Sequence, residues 1–148
     1  MAEGDQTIEA WNTAIRLAAA IGRLKIGSNL KAAADAQARA FEAAGAACGL
    51  IAEAGTREGP AQLALLRDAR GALAQCKSWI HVLAAVTNEQ ESVFGNELDL
   101  VEQASRQVNA YARTLERGGP APGGPRPPMR PGGGPRPGGA PPRGGAPR

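Results

Sequence analysis

A cysteine and a histidine, Cys76 and His81, lie five positions apart, and His81 is the only histidine in the chain. A thiol becomes a nucleophile when a base sits within hydrogen-bond reach. Five residues along a helix turn through about 140°, so these two side chains face different directions. A single imidazole also excludes most histidine-based metal centres. The neighbouring carboxylates Glu89 and Glu91, and Glu97 and Asp99, gather where a helix would begin. There they read as a solvated face that complements the helix dipole rather than as a general acid–base pair. The stretch "GLIAEAGTREGPAQ", residues 49–62, has the glycines of a phosphate loop but not the Lys-Ser/Thr that follows them, and Pro60 removes an N–H where a phosphate would need one. The expectation is a chain with no catalytic residue, metal, cofactor or small-molecule substrate, and no enzymatic activity.

Basic residues offer a different chemistry. On a helix Arg67, Arg70, Lys77 and His81 fall within about 80° of one another, a stripe able to meet phosphates without reading sequence. An ordinary charged face, paired with acids of the following helix or of another subunit, is the competing reading. It is favoured by the charge of residues 1–117, whose 12 Lys/Arg stand against all 14 Asp/Glu, or −2. Residues 118–148 hold five arginines (Arg126, Arg130, Arg136, Arg143 and Arg148) and no acid, or +5. Those 31 residues also carry 11 of the 12 prolines and 11 of the 20 glycines. Such a composition cannot bury apolar surface and predicts a disordered tail of local polyproline II character. With no aromatic residue to stack on a base, any nucleic-acid contact there would be electrostatic and salt-sensitive. A solubilising extension is an equal alternative, and a Pro-x-x-Pro docking segment at 128–131 is a third.

The elements that must position these groups are helices, because the apolar spacing of residues 1–117 is three and four throughout. A first segment is expected from Gln6 to Leu24, with Asp5 as N-cap and Ile8, Trp11, Ile15 and Ala18 inward. A second follows Ser28 and runs to Ala54, burying Leu30, Ala34, Gln37 or Ala38, Phe41, Ala44, Cys48 and Ile51. Gly55 then takes the C′ position and Pro60 opens the third segment, so 49–62 is a corner. That third segment, to Val86, buries Leu65, Leu66, Ala69, Ala72, Leu73, Cys76, Ile80 and Leu83. Asn88 with Glu91 reads as a capping box for the fourth, whose seam is Phe94, Leu98, Val101, Ser105, Val108, Ala112 and Leu115. The fold class predicted is all-α, an antiparallel up-down-up-down four-helix bundle over residues 1–117. Cys48 and Cys76 are expected as buried free thiols. With no run of apolar residues long enough to cross a bilayer and no basic, apolar start, a cytoplasmic protein with no membrane role is the default.

Many expected core positions are alanine or glycine. Gly45, Gly49 and Gly71 suggest a close approach of the second and third backbones, and Trp79 and Leu100 are expected on the outside, covered by other subunits.

"LIAEAGTR" and "ARGALAQC" together resemble paired motifs of the small four-helix-bundle proteins of the 23S ribosomal RNA intervening-sequence family. The accessory variability proteins of diversity-generating retroelements resemble the same group more distantly. Ile51, Ala52, Glu53 and Arg57 agree with an Asn-Ile-Ala-Glu-Gly-like motif, and Ala69, Gly71 and Leu73 with an Ala-x-Gly-Ser-Leu-x-Glu-Leu-like one. Leu50, Ala54, Ala72, Gln75 and Cys76 depart from them. The resemblance spans roughly residues 9–116 and implies a non-catalytic homo-oligomer, commonly a pentamer. It further implies, by its retroelement members, RNA or a ribonucleoprotein such as a reverse transcriptase complex as partner. Glu53 is the polar motif residue expected to tie down the 55–59 corner or a neighbouring helix, with a ligand role as the alternative.

Overall fold

A computed structural model describes residues 3–117, which form four helices and no strand among the described residues. They are α1 (Glu3–Gly22), α2 (Lys31–Ala54), α3 (Gly59–Thr87) and α4 (Gly95–Glu116), with a short 3-10 turn at Glu91–Phe94 before the last. Each helix packs against its sequence neighbours and α4 returns to α1, giving the antiparallel up-down-up-down bundle. No described helix is long and apolar enough to cross a membrane. The tail expectations, Arg126 to Arg148 included, lie outside the described residues.

The core of α3 follows the sequence pattern: Leu66, Ala69, Ala72, Leu73, Cys76, Ile80 and Leu83 are buried, and Leu65 is half-buried. On α4, Phe94, Val101, Val108 and Ala112 are buried, with Leu98, Ser105 and Leu115 half-buried at the edge. Leu100, expected outside, is buried, and so is Tyr111. Trp79 is half-buried, its ring under the Arg39 guanidinium at 5.2 Å.

On α1 the expected and observed faces differ. Ala10, Thr13, Ala14, Leu17 and Ile21 are inside, whereas Ile8, Trp11 and Ile15 are exposed. Likewise α2 buries Ala33, Ala36, Ala40, Ala43, Ala44 and Ala47 and leaves Leu30, Ala34 and Phe41 outside. The physical reason is width. A helix that turns alanines inward draws its neighbours close, leaving no room between for indole or phenyl rings. Thr13 is admitted because its hydroxyl donates to Glu9 O at 3.1 Å.

The helix ends are also set differently from expectation. Asp5 lies inside α1 rather than at its cap. Gln37 Nε2 donates to the carbonyls of Ile21 (2.8 Å) and Leu24 (3.0 Å), satisfying the last turn of α1 from the side. Ser28 Oγ accepts from the Leu30 amide at 3.1 Å, one turn before α2 begins. Asn88 opens no capping box: it ends α3 in the left-handed region (φ 59°). The Glu89 and Asn88 amides then return to Ala84 O (3.0 Å) and Ala85 O (3.3 Å), a Schellman ending.

Gly55 is right-handed (φ −66°) rather than a left-handed C′ residue. It must be small because a Cβ would meet Thr7 Cγ2 at 2.9 Å. The positive φ of the corner belongs to Gly59 (67°), ahead of Pro60. Gly45, Gly49 and Gly71 mark no close approach, since a Cβ on any of them would meet open space.

Candidate interaction surfaces

The basic stripe of α3 lies along α4, where its members meet partners one by one. Arg67 Nη2 reaches Glu116 at 3.2 Å, Arg70 Nη1 donates to Asn109 Oδ1 at 3.1 Å, and Lys77 Nζ reaches Glu102 at 2.5 Å. His81 Nδ1 lies 2.6 Å from Glu91 of the 3-10 turn. The Glu102 carboxyl is held below its usual value, first by the hydrogen bond from Lys77 and then by the lysine's charge. All of these side chains keep substantial solvent exposure, so each contact is a screened surface interaction. Geometrically the stripe is an interhelical ladder.

Inside the bundle, at the end where α2 gives way to α3, stands a polar knot. The Tyr111 hydroxyl accepts from Thr7 Oγ1 and Gln62 Nε2, each at 2.8 Å, and Gln62 Nε2 also donates to Ala54 O at 3.1 Å. One hydroxyl thereby joins α1, α3 and α4, while the Gln62 amide ties in the end of α2. Neither Tyr111 nor Gln62 stood out in the sequence, because a lone tyrosine and a glutamine carry no periodic signal.

Glu53 binds at the corner itself. Its carboxylate accepts from Arg57 Nη2 at 2.8 Å, and its carbonyl accepts from the Thr56 amide (2.9 Å) and hydroxyl (2.7 Å). Gly71, grouped with these two by motif, lies exposed on α3 and joins neither. Of the carboxylates expected on a solvated helix start, Glu97 is instead buried, at 6% exposure.

Cys48 and Cys76 are free and buried. Burial raises both thiols, Cys76 to about 12 with a further contribution from Cys48, so neither is a thiolate near neutral pH. Among the described residues no group of three or more His, Cys, Asp and Glu could hold a metal ion. A cleft of about 190 Å³ lies between the 24–28 and 87–94 connections, with Lys25, Ser28 and Glu89 on its rim.

The most distinctive surface is the outer face of α1 and α2. Ile8 is 58% exposed, Trp11 39%, Ile15 41% and Phe41 48%. The Phe41 ring would meet a Cβ on Gly22 at 3.2 Å, which joins the α1 and α2 parts of this face. A shallow groove of about 390 Å³ beside it is lined by Gly22, Ala34, Gln37, Ala38 and Phe41. Sequence reasoning assigned most of these side chains to the core; the signal that separates them is the second apolar stripe on α1, Ala10, Ala14, Leu17 and Ile21.

Comparison with known proteins finds no matching family model, no matching curated protein and no matching solved structure.

Proposed function

We propose that the chain is a non-enzymatic scaffold: a helical bundle that associates with copies of itself and gathers RNA or a ribonucleoprotein partner. The observation that carries the scaffold reading is the exposed apolar face of α1 and α2, with Ile8, Trp11, Ile15 and Phe41. Monomeric proteins rarely leave several large apolar side chains together in water, and a contiguous patch of this kind is what binding surfaces present. The polyanion part of the reading rests on where cationic charge is left unneutralised. Arg67, Arg70 and Lys77 already hold acceptors on α4, so their contribution to phosphate binding is secondary. The five arginines of residues 118–148 have no acid among them in sequence. They are the main phosphate contacts in this reading.

Measuring RNA affinity of the full chain and of a chain ending at Arg117 across a salt series tests it. Binding that falls steeply with salt and is lost with residues 118–148 is expected; no binding by either at low salt removes the RNA reading. Sedimentation of the same samples gives the subunit number. The second reading, a protein-interaction scaffold without a nucleic-acid role, is favoured by the pairing of the α3 stripe. It predicts that the two chains bind RNA equally poorly.

A further inference from the structure

We infer that the outer face of α1 and α2 is a two-fold contact between copies of this chain, with α1 running antiparallel against α1 of the second copy. This rests on the self-association proposed above and specifies its geometry. Four charged residues flank the apolar strip of α1 on one side. Asp5 and Glu9 lie in its first half and Arg16 and Arg23 at and just beyond its second; all four are exposed. On a helical wheel they fall within about 40° of one another, beginning about 60° past Ile8, on the edge away from α2. None of them makes an ion pair among the described residues, whereas each cation of the α3 stripe holds a partner.

A two-fold axis perpendicular to α1 brings the same flank of both copies together with the direction reversed. Centred on Thr13, it sets Asp5 within two residues, about 3 Å, of the level of the second copy's Arg23, and Glu9 within one residue of the level of its Arg16. The same register sets Trp11 against the second copy's Ile15, and Ile8 against its Ala18, next to the groove at Gly22 and Phe41. A parallel two-fold would carry the charged flank away from its counterpart, so the charge order selects the antiparallel one.

The α2 helix fits the same axis. Thr7 lies at the level of Gly55, and Gly22 at the level of Phe41. The middle of α1 is therefore level with Gly49, where α2 would cross α2 of the second copy. There a Cβ on Gly45 or Gly49 meets open space in the single chain. Two helices side by side present a face about 30 Å by about 20 Å. That is about 600 Å² per partner, at the lower end of the ~1,200–2,000 Å² total that specific interfaces bury.

The test uses the full chain at micromolar concentration. Light scattering of the wild type is expected to give an even multiple of the 15.1 kDa chain mass. D5K/E9K makes the flank wholly positive and R16E/R23E makes it wholly negative. Each alone should fall to half the assembly mass or less, and an equimolar mixture should restore it. If circular dichroism shows either pair to be unfolded, E9K and R16E alone take their place in the same mixing experiment. Wild-type assembly that neither swap alters, or that mixing does not restore, overturns the two-fold while leaving self-association standing. Five copies in solution would do the same. A wild-type monomer overturns both.

Discussion

Along the seam between α3 and α4, each basic side chain of the α3 stripe meets an acceptor across the gap, and the large apolar residues beneath are buried. On the outer face of α1 and α2 the arrangement is inverted: alanines point inward, Ile8, Trp11, Ile15 and Phe41 point out, and the flanking charges make no ion pair among the described residues. One half of the bundle is nearly complete as a single chain, with Val82 and Val93 the large apolar side chains it leaves exposed among the described residues. The other has the composition of a half-finished interior, which is how a surface looks when its complement is supplied from outside.

The largest effect that separates the halves is a truncation made in each. Leu73 is fully buried. Leu73→Ala should therefore cost about 2–5 kcal/mol in urea unfolding by combining the lost transfer energy with the cavity left behind. Ile8→Ala, on the outer face, should change unfolding of the dilute chain by no more than about 0.5 kcal/mol. It should nonetheless weaken self-association in a sedimentation series. Equal unfolding costs for the two would mean that the inward and outward faces of α1 are misassigned.

The polar knot at the α2–α3 corner comes next. Tyr111→Phe deprives Thr7 and Gln62 of a shared acceptor at 2.8 Å in a buried site. A loss of about 1–3 kcal/mol in unfolding free energy is expected. Gly55→Ala should act through the same place, because the added methyl reaches Thr7 Cγ2 at 2.9 Å while Thr7 Oγ1 is tied to Tyr111. Overpacking of this kind costs about 1–3 kcal/mol. Together the two changes should cost less than their sum, as expected for residues that share Thr7. Strict additivity would show that the knot is not one unit.

What could be read beforehand follows from where large and small side chains compete. On α3 and α4 most of the leucines and valines, with the isoleucine and phenylalanine, fall on one stripe each, so periodicity finds the inward face except at Val82, which is exposed, and Leu100, which is buried. On α1 two stripes share the helical spacing, and size favours Ile8, Trp11 and Ile15. The deciding factor is the neighbour, since α2 turns Ala36, Ala40 and Ala47 toward the core and leaves little room. That information lies in tertiary packing and not in the segment. The ends behave similarly: Gln37 closes α1 from the next helix, a device no local cap signal announces. The corner at 49–62 was legible because Gly59 and Pro60 act locally. The pairing of the α3 stripe was half-legible, as an alternative the acidic balance favoured, because Glu102, Asn109 and Glu116 reach it only after α4 has folded back.

Glycine substitutions sharpen the contrast with a smaller effect. Gly71 is exposed on α3 and a Cβ there meets nothing. Gly71→Ala should stabilise the chain by about 1 kcal/mol through helix propensity alone and leave assembly unchanged. Gly49→Ala, on α2, should raise the stability of the dilute chain comparably. Here, however, the methyl enters the proposed crossing of two α2 helices, so the sedimentation equilibrium should shift toward single chains. If both variants assemble like the wild type, Gly49 does not lie at a contact.

The smallest effect belongs to the seam that is complete within one chain. Lys77→Met leaves the aliphatic stem in place and removes the ammonium 2.5 Å from Glu102. Both side chains are 45% exposed, so screening limits the loss to about 0.2–1 kcal/mol. Its pH dependence has a fixed sign. The Glu102 carboxyl sits below the ordinary 4.5 when folded, so its share of stability is fully present above that value. It fades as pH falls from there through the lowered folded-state value. Acid unfolding of wild type and Lys77→Met should therefore converge at the acid end and separate toward neutral pH. Added salt should shrink the gap. No gap at any pH would mean that Lys77 stabilises the seam through packing of its stem, which methionine keeps, and not through its charge.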